Sequence, residues 1–200
     1  MRNWLLIAVL AAALAGCGTD EVSLPPPDRA PVPAQLADAT PAGTVVAPAE
    51  PTAIELRAAT GETYLSSPLY PEKLMRGGAS GQQLNPVNEL PVWWGESGVP
   101  GTETEQTVLV AGHNYSKRAA PFRALRVVRP GDRVLLRTPN GVLEYTVQSA
   151  GPLRKGALLS DNELRKAVPG RLILANCDVV DGEPTDNNYL VIAQLAQPPG

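Results

Sequence analysis

The sequence predicts an all-β fold, a barrel or a sandwich, with one or two short helices. Short apolar runs recur along the chain, turn-forming residues separate them, and little of the chain has a helical pattern. Glycine (18 residues) and proline (21) make up about a fifth of the 200 residues, which is less than in a low-complexity chain. A hydrophobic fraction of 44% is enough to form a core, so full disorder is excluded.

Five apolar stretches have the length and composition of strands. Residues 133–138 and 142–147 flank an Asn140-Gly141 pair, which is the strongest short-range indication of a hairpin. The other three, residues 107–111, 171–175 and 189–193, are continuous apolar runs, as expected of strands buried on both faces.

Helix signals are few. Residues 161–168 are predicted to form a helix that begins at Asp161 as N-cap and stops at Pro169-Gly170, and a second short helix is expected after Pro121. These elements belong to a folded domain that we place at residues 53–197, because every aromatic residue except Trp4 follows residue 53.

The N-terminus, residues 1–16, has the pattern of a signal peptide. Arg2 precedes an apolar run at residues 4–14, which is too short to cross a bilayer core of about 30 Å. The run leads into Leu-Ala-Gly-Cys17, which resembles a bacterial lipobox, and we expect Cys17 to be diacylated (palmitate being one such acyl chain). The alternative is a cysteine that merely follows a signal sequence. The expected location is the extracytoplasmic face of the cell membrane, with a lipid anchor.

Residues 17–52 are predicted to be a lipid-anchored linker. The stretch from residue 18 to residue 51 holds eight prolines, many alanines and no aromatic residue, so it cannot bury enough apolar surface to fold. Extended polyproline II structure is its expected state.

Charge and composition exclude some function classes. The formal net charge is −3, and without a basic excess we expect no nucleic-acid partner. The chain has one histidine and two cysteines, which makes a metal site built from several such ligands improbable. We expect no metal and no cofactor.

The single histidine and the second cysteine occupy equivalent places. His113 and Cys177 each follow an apolar strand that ends in alanine, with one residue between. If the two strands are neighbours, the imidazole can accept the thiol proton, and the resulting imidazolium can protonate a leaving amine.

Three other interpretations remain open for these two residues. A lone histidine in a β protein is more often a surface or satisfied polar residue, and a lone cysteine is more often a small buried hydrophobe. A Cys17–Cys177 disulfide is the third alternative, which lipidation of Cys17 would exclude.

Several motifs in order resemble the sortases of actinobacteria, especially classes E and F. They are LPVWWGESGVPG at residues 90–101, TVLVAGH at 107–113, APFRAL at 120–125, RPGD at 129–132, LILANC at 172–177 and NYLVIA at 188–193. The resemblance implies an eight-stranded β-barrel and a cysteine transpeptidase. Such an enzyme cuts an LPXTG-type sorting signal on a surface protein and transfers the acyl group to a cell-wall or pilin amine.

The resemblance implies that Cys177 is the nucleophile and His113 the acid and base. Family members also carry an essential arginine after the cysteine, whereas neither arginine nor lysine follows Cys177 in this chain. Four residues are considered as replacement donors to the oxyanion or substrate: Asn187, Asn188, Arg118 and Arg123. The lost charge could cost a few kcal/mol.

Two hypotheses follow. The first is a sortase-like transpeptidase or hydrolase that forms an acyl-thioester on Cys177. The second is a catalytically weak or inactive sortase-fold lipoprotein that binds a cell-envelope peptide or protein partner.

Overall fold

Most apolar runs of the sequence become strands of one large sheet. The structure is a computed structural model that describes residues 39–41, 43–73, 75–77 and 83–196. The predicted signal peptide, Cys17 and the linker up to residue 38 lie outside the described residues, so their assignments stay predictions.

The described residues contain eleven strands and three short helices. The strands are β1 (Ala53–Arg57), β2 (Thr63–Pro68), β3 (Tyr70–Glu72), β4 (Met75–Gly77), β5 (Gln83–Asn85), β6 (Val92–Trp94), β7 (Val108–Ala111), β8 (Arg133–Thr138), β9 (Gly141–Arg154), β10 (Arg171–Val180) and β11 (Glu183–Leu195). The helices are a 3-10 helix (Pro121–Val127), α1 (Ala157–Ser160) and α2 (Asn162–Arg165).

Nine strands form a nearly closed barrel, which confirms the predicted fold class. Their order is β2-β1-β8-β9-β11-β10-β7-β6-β3, while β4 and β5 pair separately. The two edge strands of this sheet, β2 and β3, are consecutive in the chain and separated only by Leu69. Counted as one interrupted strand, β2 and β3 give the eight strands expected from the family resemblance.

The predicted strands are present, and three of them run further than their apolar cores. The strand at 133–138 has the expected bounds, but β9, β10 and β11 continue into polar sequence. Strands β10 and β11 stay paired up to a two-residue turn, Asp181-Gly182, in which both residues have positive φ (50° and 81°). Such a turn matches the twist of the strands that it joins.

The predicted helix is shorter than expected. Asp161 caps α2 by accepting hydrogen bonds from the backbone N–H groups of Glu163 and Leu164. The helix ends at Arg165, and α1 lies directly before it. The helix expected after Pro121 is the 3-10 helix. The helices present in the described residues are all too short to cross a membrane.

Each continuous apolar run is buried on both faces, as expected from its composition. In β10, Leu172 and Leu174 pack into the barrel interior, whereas Ile173 and Ala175 pack with Leu158 of α1 in a second cluster outside the barrel. Alternating residues of one strand thus serve two cores. This outer cluster forms the floor on which the candidate site lies.

Part of the predicted linker packs on the barrel, which the composition did not indicate. We call residues 43–52 the strap. Val46 is 2% exposed and belongs to the inner core. Its carbonyl accepts from the N–H of Thr102, and its N–H donates to the Thr102 hydroxyl. Thr52 donates its N–H to the carbonyl of Arg137 in β8. The packing therefore begins before residue 53, because backbone hydrogen bonds hold a stretch that has few large side chains.

Candidate active site

Strands β7 and β10 bring the histidine and the cysteine together. They are parallel neighbours, with Ala111 opposite Ala175, and the N–H of Gly112 donates to the carbonyl of Ala175 over 3.0 Å. His113 and Cys177 each lie two residues beyond this alanine pair. The equivalence seen in the sequence is therefore a true register match.

The two residues line one pocket at this end of the strands. Cys177 is exposed and His113 is half-buried. The lining residues are Asn85, Pro86, Ala111, Gly112, His113, Leu158, Leu159, Ala175, Asn176, Cys177 and Asn188. The pocket thus combines an apolar wall from α1 with a thiol, an imidazole and amide groups, which is a chemically competent set for acyl transfer.

Glycine is required at position 112 for close packing. A Cβ atom there would lie 2.8 Å from ring atoms of Phe122, the phenylalanine of the 3-10 helix. Phe122 is fully buried and cannot move aside. Without a Cβ atom, the backbone at Gly112 packs directly against the ring of Phe122. The next residue, His113, then lies at the pocket.

The imidazole of His113 is held on two sides. Its Nε2 lies 3.0 Å from the carbonyl oxygen of Pro86. Because a carbonyl only accepts, this bond places a proton on Nε2, and the neutral ring then has its lone pair on Nδ1. One face of the ring stacks on Tyr115, with centroids 5.0 Å apart and an interplanar angle of 16°.

Asn188 is the residue directly opposite Cys177 across the β10–β11 ladder. Its side-chain N–H donates to the backbone carbonyl of Asn176 over 2.9 Å, and it lines the pocket. The amide has a second N–H, which can donate to a substrate. Of the four donors proposed from the sequence, Asn188 is the one among the pocket-lining residues.

The other three candidate donors lie elsewhere. Arg118 forms an ion pair with Glu89 at 3.0 Å, and its guanidinium lies over the ring of Tyr115. Arg123 is exposed on the 3-10 helix. Asn187 pairs with Arg154 of β9 and, as the neighbour of Asn188 in a strand, points to the opposite face. None of these three is among the described residues that line the pocket.

Asn176 has a structural task beside the cysteine. It is 3% exposed, and its side-chain N–H donates to the carbonyl of Phe122 over 2.6 Å. This bond ties β10 to the 3-10 helix at the level of the pocket. Asp178, which directly follows Cys177, forms an ion pair with Arg126 at 3.0 Å. Because side chains alternate, that pair lies on the opposite face of β10 from Cys177.

Within the described ranges, no three His, Cys, Asp or Glu side chains group closely enough to hold a metal ion. The reactive side chains among the pocket-lining residues are the thiol and the imidazole, and their polar neighbours are amides.

Comparison with known protein families identifies one domain in this chain. The model of the sortase domain matches residues 63–196, about two thirds of the chain. The chain belongs to the sortase family. Members of this family are cysteine transpeptidases that act on sorting-signal proteins and amine acceptors. No curated protein matches the sequence.

Solved sortase structures share the fold at low sequence identity. The chain is similar to a lid mutant of sortase A from Corynebacterium diphtheriae (TM-score 0.50, 16% identity, covering 74% of this chain and 71% of the other). It is also similar to sortase C-3 from Streptococcus pneumoniae (TM-score 0.50, 16% identity, covering 75% and 64%). A third is Streptococcus agalactiae sortase C1 in complex with MTSET (TM-score 0.50, 16% identity, covering 73% and 67%).

Several pocket residues were not predicted from the sequence. Asn85 and Pro86 come from the connection between β3 and β6, and Leu158 and Leu159 come from α1. Tyr115 stacks on His113 but is not among the pocket-lining residues. It lies only two residues beyond His113, and this spacing could have suggested the contact. The others are distant in the chain and carry no motif, so only the tertiary structure identifies them.

Proposed function

We propose that this chain is a sortase-type cysteine transpeptidase or hydrolase that cleaves LPXTG-type sorting signals through an acyl-thioester on Cys177. The observation that carries the proposal is the parallel register of β7 and β10, which brings the single histidine and an exposed thiol to one pocket. A thiol and an imidazole at one pocket are the minimum set for nucleophilic acyl transfer.

The steps follow from these two groups. His113 accepts the thiol proton, and the thiolate sulfur attacks the carbonyl carbon of the scissile peptide bond. The tetrahedral intermediate collapses as the imidazolium protonates the leaving amine, which leaves a thioester on Cys177. A cell-wall or pilin amine, or water, then attacks the thioester and regenerates the thiol.

Asn188 is the residue that we assign to the developing oxyanion. It lies across the strand ladder from Cys177 and has one side-chain N–H beyond the bond that it donates to Asn176. A neutral amide stabilises an oxyanion less than a guanidinium does, because hydrogen bonds from charged donors are roughly twice as strong. Slow acylation is therefore expected.

The absence of a charged side chain at position 188 also favours the second hypothesis. A sortase-fold protein that binds a cell-envelope peptide or protein without turnover needs a pocket for the peptide, but it needs no charged group to stabilise an oxyanion. In that case a sorting peptide binds, and no covalent adduct forms on Cys177.

Intact-mass spectrometry of the full chain in detergent separates the two hypotheses. The chain is incubated with LPXTG-type peptides, with and without an amine acceptor. We expect an acyl adduct in the wild type, no adduct in Cys177→Ala, and an acylation rate at least about 100-fold lower in His113→Gln. Arg123→Ala, on an exposed position away from the pocket, serves as the matched control with unchanged acylation. Peptide binding with neither an adduct on Cys177 nor any cleaved peptide in the wild type would refute the enzyme and support the binding protein.

We also propose that Cys17 carries a lipid that holds the protein at the outer face of the cell membrane. The lipobox-like sequence before Cys17 and the following proline-rich stretch support this assignment. Fractionation of cells that produce the wild type or Cys17→Ser tests it. The wild type is expected with the membrane and the variant in the soluble extracytoplasmic fraction, and equal partition of the two would refute the anchor.

A further inference from the structure

A stack of three side chains forms one side of the candidate site. The ring of His113 lies on one face of Tyr115, and the guanidinium of Arg118 lies 3.7 Å from the centroid of the same tyrosine ring. Offset aromatic stacking and cation–π contact are both attractive interactions. The imidazole of His113 therefore packs against the Tyr115 ring, which the guanidinium of Arg118 also contacts.

Glu89 fixes the far end of this stack. Its carboxylate accepts a hydrogen bond from the Tyr115 hydroxyl over 3.1 Å and a second from Arg118 over 3.0 Å. The bond from Arg118 is the main reason why the pKa of Glu89 lies below its usual range. Burial, then the bond to Glu89, raise the pKa of Tyr115, so the phenol stays a neutral donor.

The loop that carries Glu89, between β5 and β6, also supplies the other contact of the imidazole. Pro86, whose carbonyl accepts from Nε2 of His113, precedes Glu89 by three residues. Glu72 of β3 anchors this loop through hydrogen bonds from the backbone N–H groups of Val87 and Asn88. One loop thus reaches His113 twice, directly through Pro86 and indirectly through Glu89 and Tyr115.

We propose that Tyr115 and Glu89 are positioning residues that fix the orientation of the His113 ring toward the Cys177 pocket. This inference rests on the proposed function of His113 as acid and base. A ring that could rotate about its side-chain bonds would spend less time aligned for proton transfer, and a misplacement of about 1 Å can cost about 100-fold in rate. Fixing the ring from two sides removes that loss.

The single histidine makes the inference testable without interference. Because the chain has one histidine, the proton on Cε1 of the imidazole gives one signal in an NMR spectrum of the full chain in detergent. Stacking on Tyr115 shields that proton. Tyr115→Phe keeps the ring and loses only the hydroxyl, Tyr115→Leu loses the ring, and Glu89→Gln loses the charge that binds Arg118. Tyr70→Leu, at an exposed tyrosine of β3, is the matched control.

We expect the imidazole signal to move downfield in Tyr115→Leu, to move partway in Glu89→Gln and to stay in place in Tyr70→Leu. The acylation rate is expected to fall about 10–100-fold in Tyr115→Leu with KM within about twofold, and Tyr115→Phe is expected to retain it within about threefold. Alkylation of Cys177 by iodoacetamide is expected to slow most in Tyr115→Leu, less in Glu89→Gln and not at all in Tyr70→Leu. This measurement needs no peptide substrate.

The outcomes separate this inference from the proposed function. If the wild type forms no acyl adduct but Tyr115→Leu still shifts the imidazole signal and slows alkylation, the positioning role stands and the proposed function fails. An unshifted imidazole signal in a folded Tyr115→Leu, or a fall in activity equal to that of Tyr70→Leu, would overturn the positioning role.

Discussion

Asn188 is the amide neighbour of Cys177 on the same face of the β10–β11 ladder. The two residues are opposite each other in the β10–β11 ladder, and no Lys or Arg side chain is among the described residues that line the pocket. An asparagine can offer a hydrogen bond to an oxyanion, but it cannot stabilise a thiolate by charge. The reactivity of this site therefore depends on His113 more than on any cation.

Replacing Asn188 with arginine is expected to activate the thiol. A guanidinium near the sulfur favours the thiolate over the thiol, so iodoacetamide is expected to alkylate Cys177 faster at neutral pH. The pH dependence of the alkylation rate measures this change. If the proposed function is correct, the acylation rate of Asn188→Arg with a sorting peptide also rises.

Asn187→Arg is the matched control for this change. It adds the same charge one residue away, on the face of β11 turned from Cys177. The alkylation profile is expected to stay within about 0.3 pH units of the wild type. Equal shifts of the alkylation profile in both variants would show that added positive charge acts at long range, and that a contact at the pocket is not needed.

The residues around His113 show where prediction from sequence stops. The histidine and the cysteine were predictable because each ends a recognisable apolar strand. Glu89 was not, because its partners Tyr115 and Arg118 lie 26 and 29 residues away and only the folded loops bring them together. Arg118 was considered as a replacement donor to the substrate, and in the structure its partners are Glu89 and Tyr115.

At the scale of elements, α2 depends on one arginine of β10. The helix has four residues, fewer than an isolated helix needs for stability. The guanidinium of Arg171 donates hydrogen bonds to the carbonyls of Glu163, Leu164 and Lys166, and its Nε donates to the hydroxyl of Thr107. Burial lowers the pKa of Arg171. Arg171 thus secures the end of the helical segment that begins with the pocket wall α1.

Replacing Arg171 with methionine is expected to loosen α2. Methionine keeps the length of the apolar stem but leaves three carbonyls without their donor, which costs about 1–3 kcal/mol in the free energy of unfolding. Urea unfolding measures this loss, and hydrogen exchange at the amides of Glu163 and Leu164 is expected to accelerate.

Arg154→Met is the control for the same substitution at an exposed position in β9. It is expected to change the free energy of unfolding by less than about 0.5 kcal/mol. If Arg171→Met changes the free energy of unfolding no more than this control does, and hydrogen exchange in α2 stays unchanged, then Arg171 does not stabilise the helix.

For the whole molecule, the strap decides where the stable domain begins. Val46 lies in the inner core beside residues of the barrel, although it is seven residues before the predicted domain start. Its neighbour Val45 is 57% exposed. Val46 therefore packs into the barrel, while Val45 faces solvent.

A chain that starts at residue 53 is therefore expected to be less stable than one that starts at residue 39. Within the longer chain, Val46→Ala is expected to lower the free energy of unfolding by about 1–2 kcal/mol, because it removes buried apolar surface. Denaturant unfolding of the two chains and of the variant measures these differences.

Val45→Ala is the matched control and is expected to change stability by less than about 0.5 kcal/mol. Equal stability of the two chain lengths, or equal effects of the two valine substitutions, would show that the strap does not contribute to the fold.

The sequence by itself determined the all-β class, the positions of the strands in residues 107–193 and the equivalence of His113 and Cys177. These features depend on local patterns, namely apolar runs, turn residues and equal spacing, which the chain carries wherever it folds. They were enough to predict an all-β barrel or sandwich with a histidine and a cysteine at equivalent strand ends, whereas the barrel itself was implied by the resemblance to sortases.

The tertiary structure alone decided which neighbours those groups have. It paired β7 with β10 in parallel, placed Asn188 opposite the thiol and stacked Tyr115 on the imidazole. It also drew the strap onto the barrel, where Val46 reaches the core. Such contacts join residues far apart in the chain, and their energy comes from burial and hydrogen bonds that no local sequence pattern records.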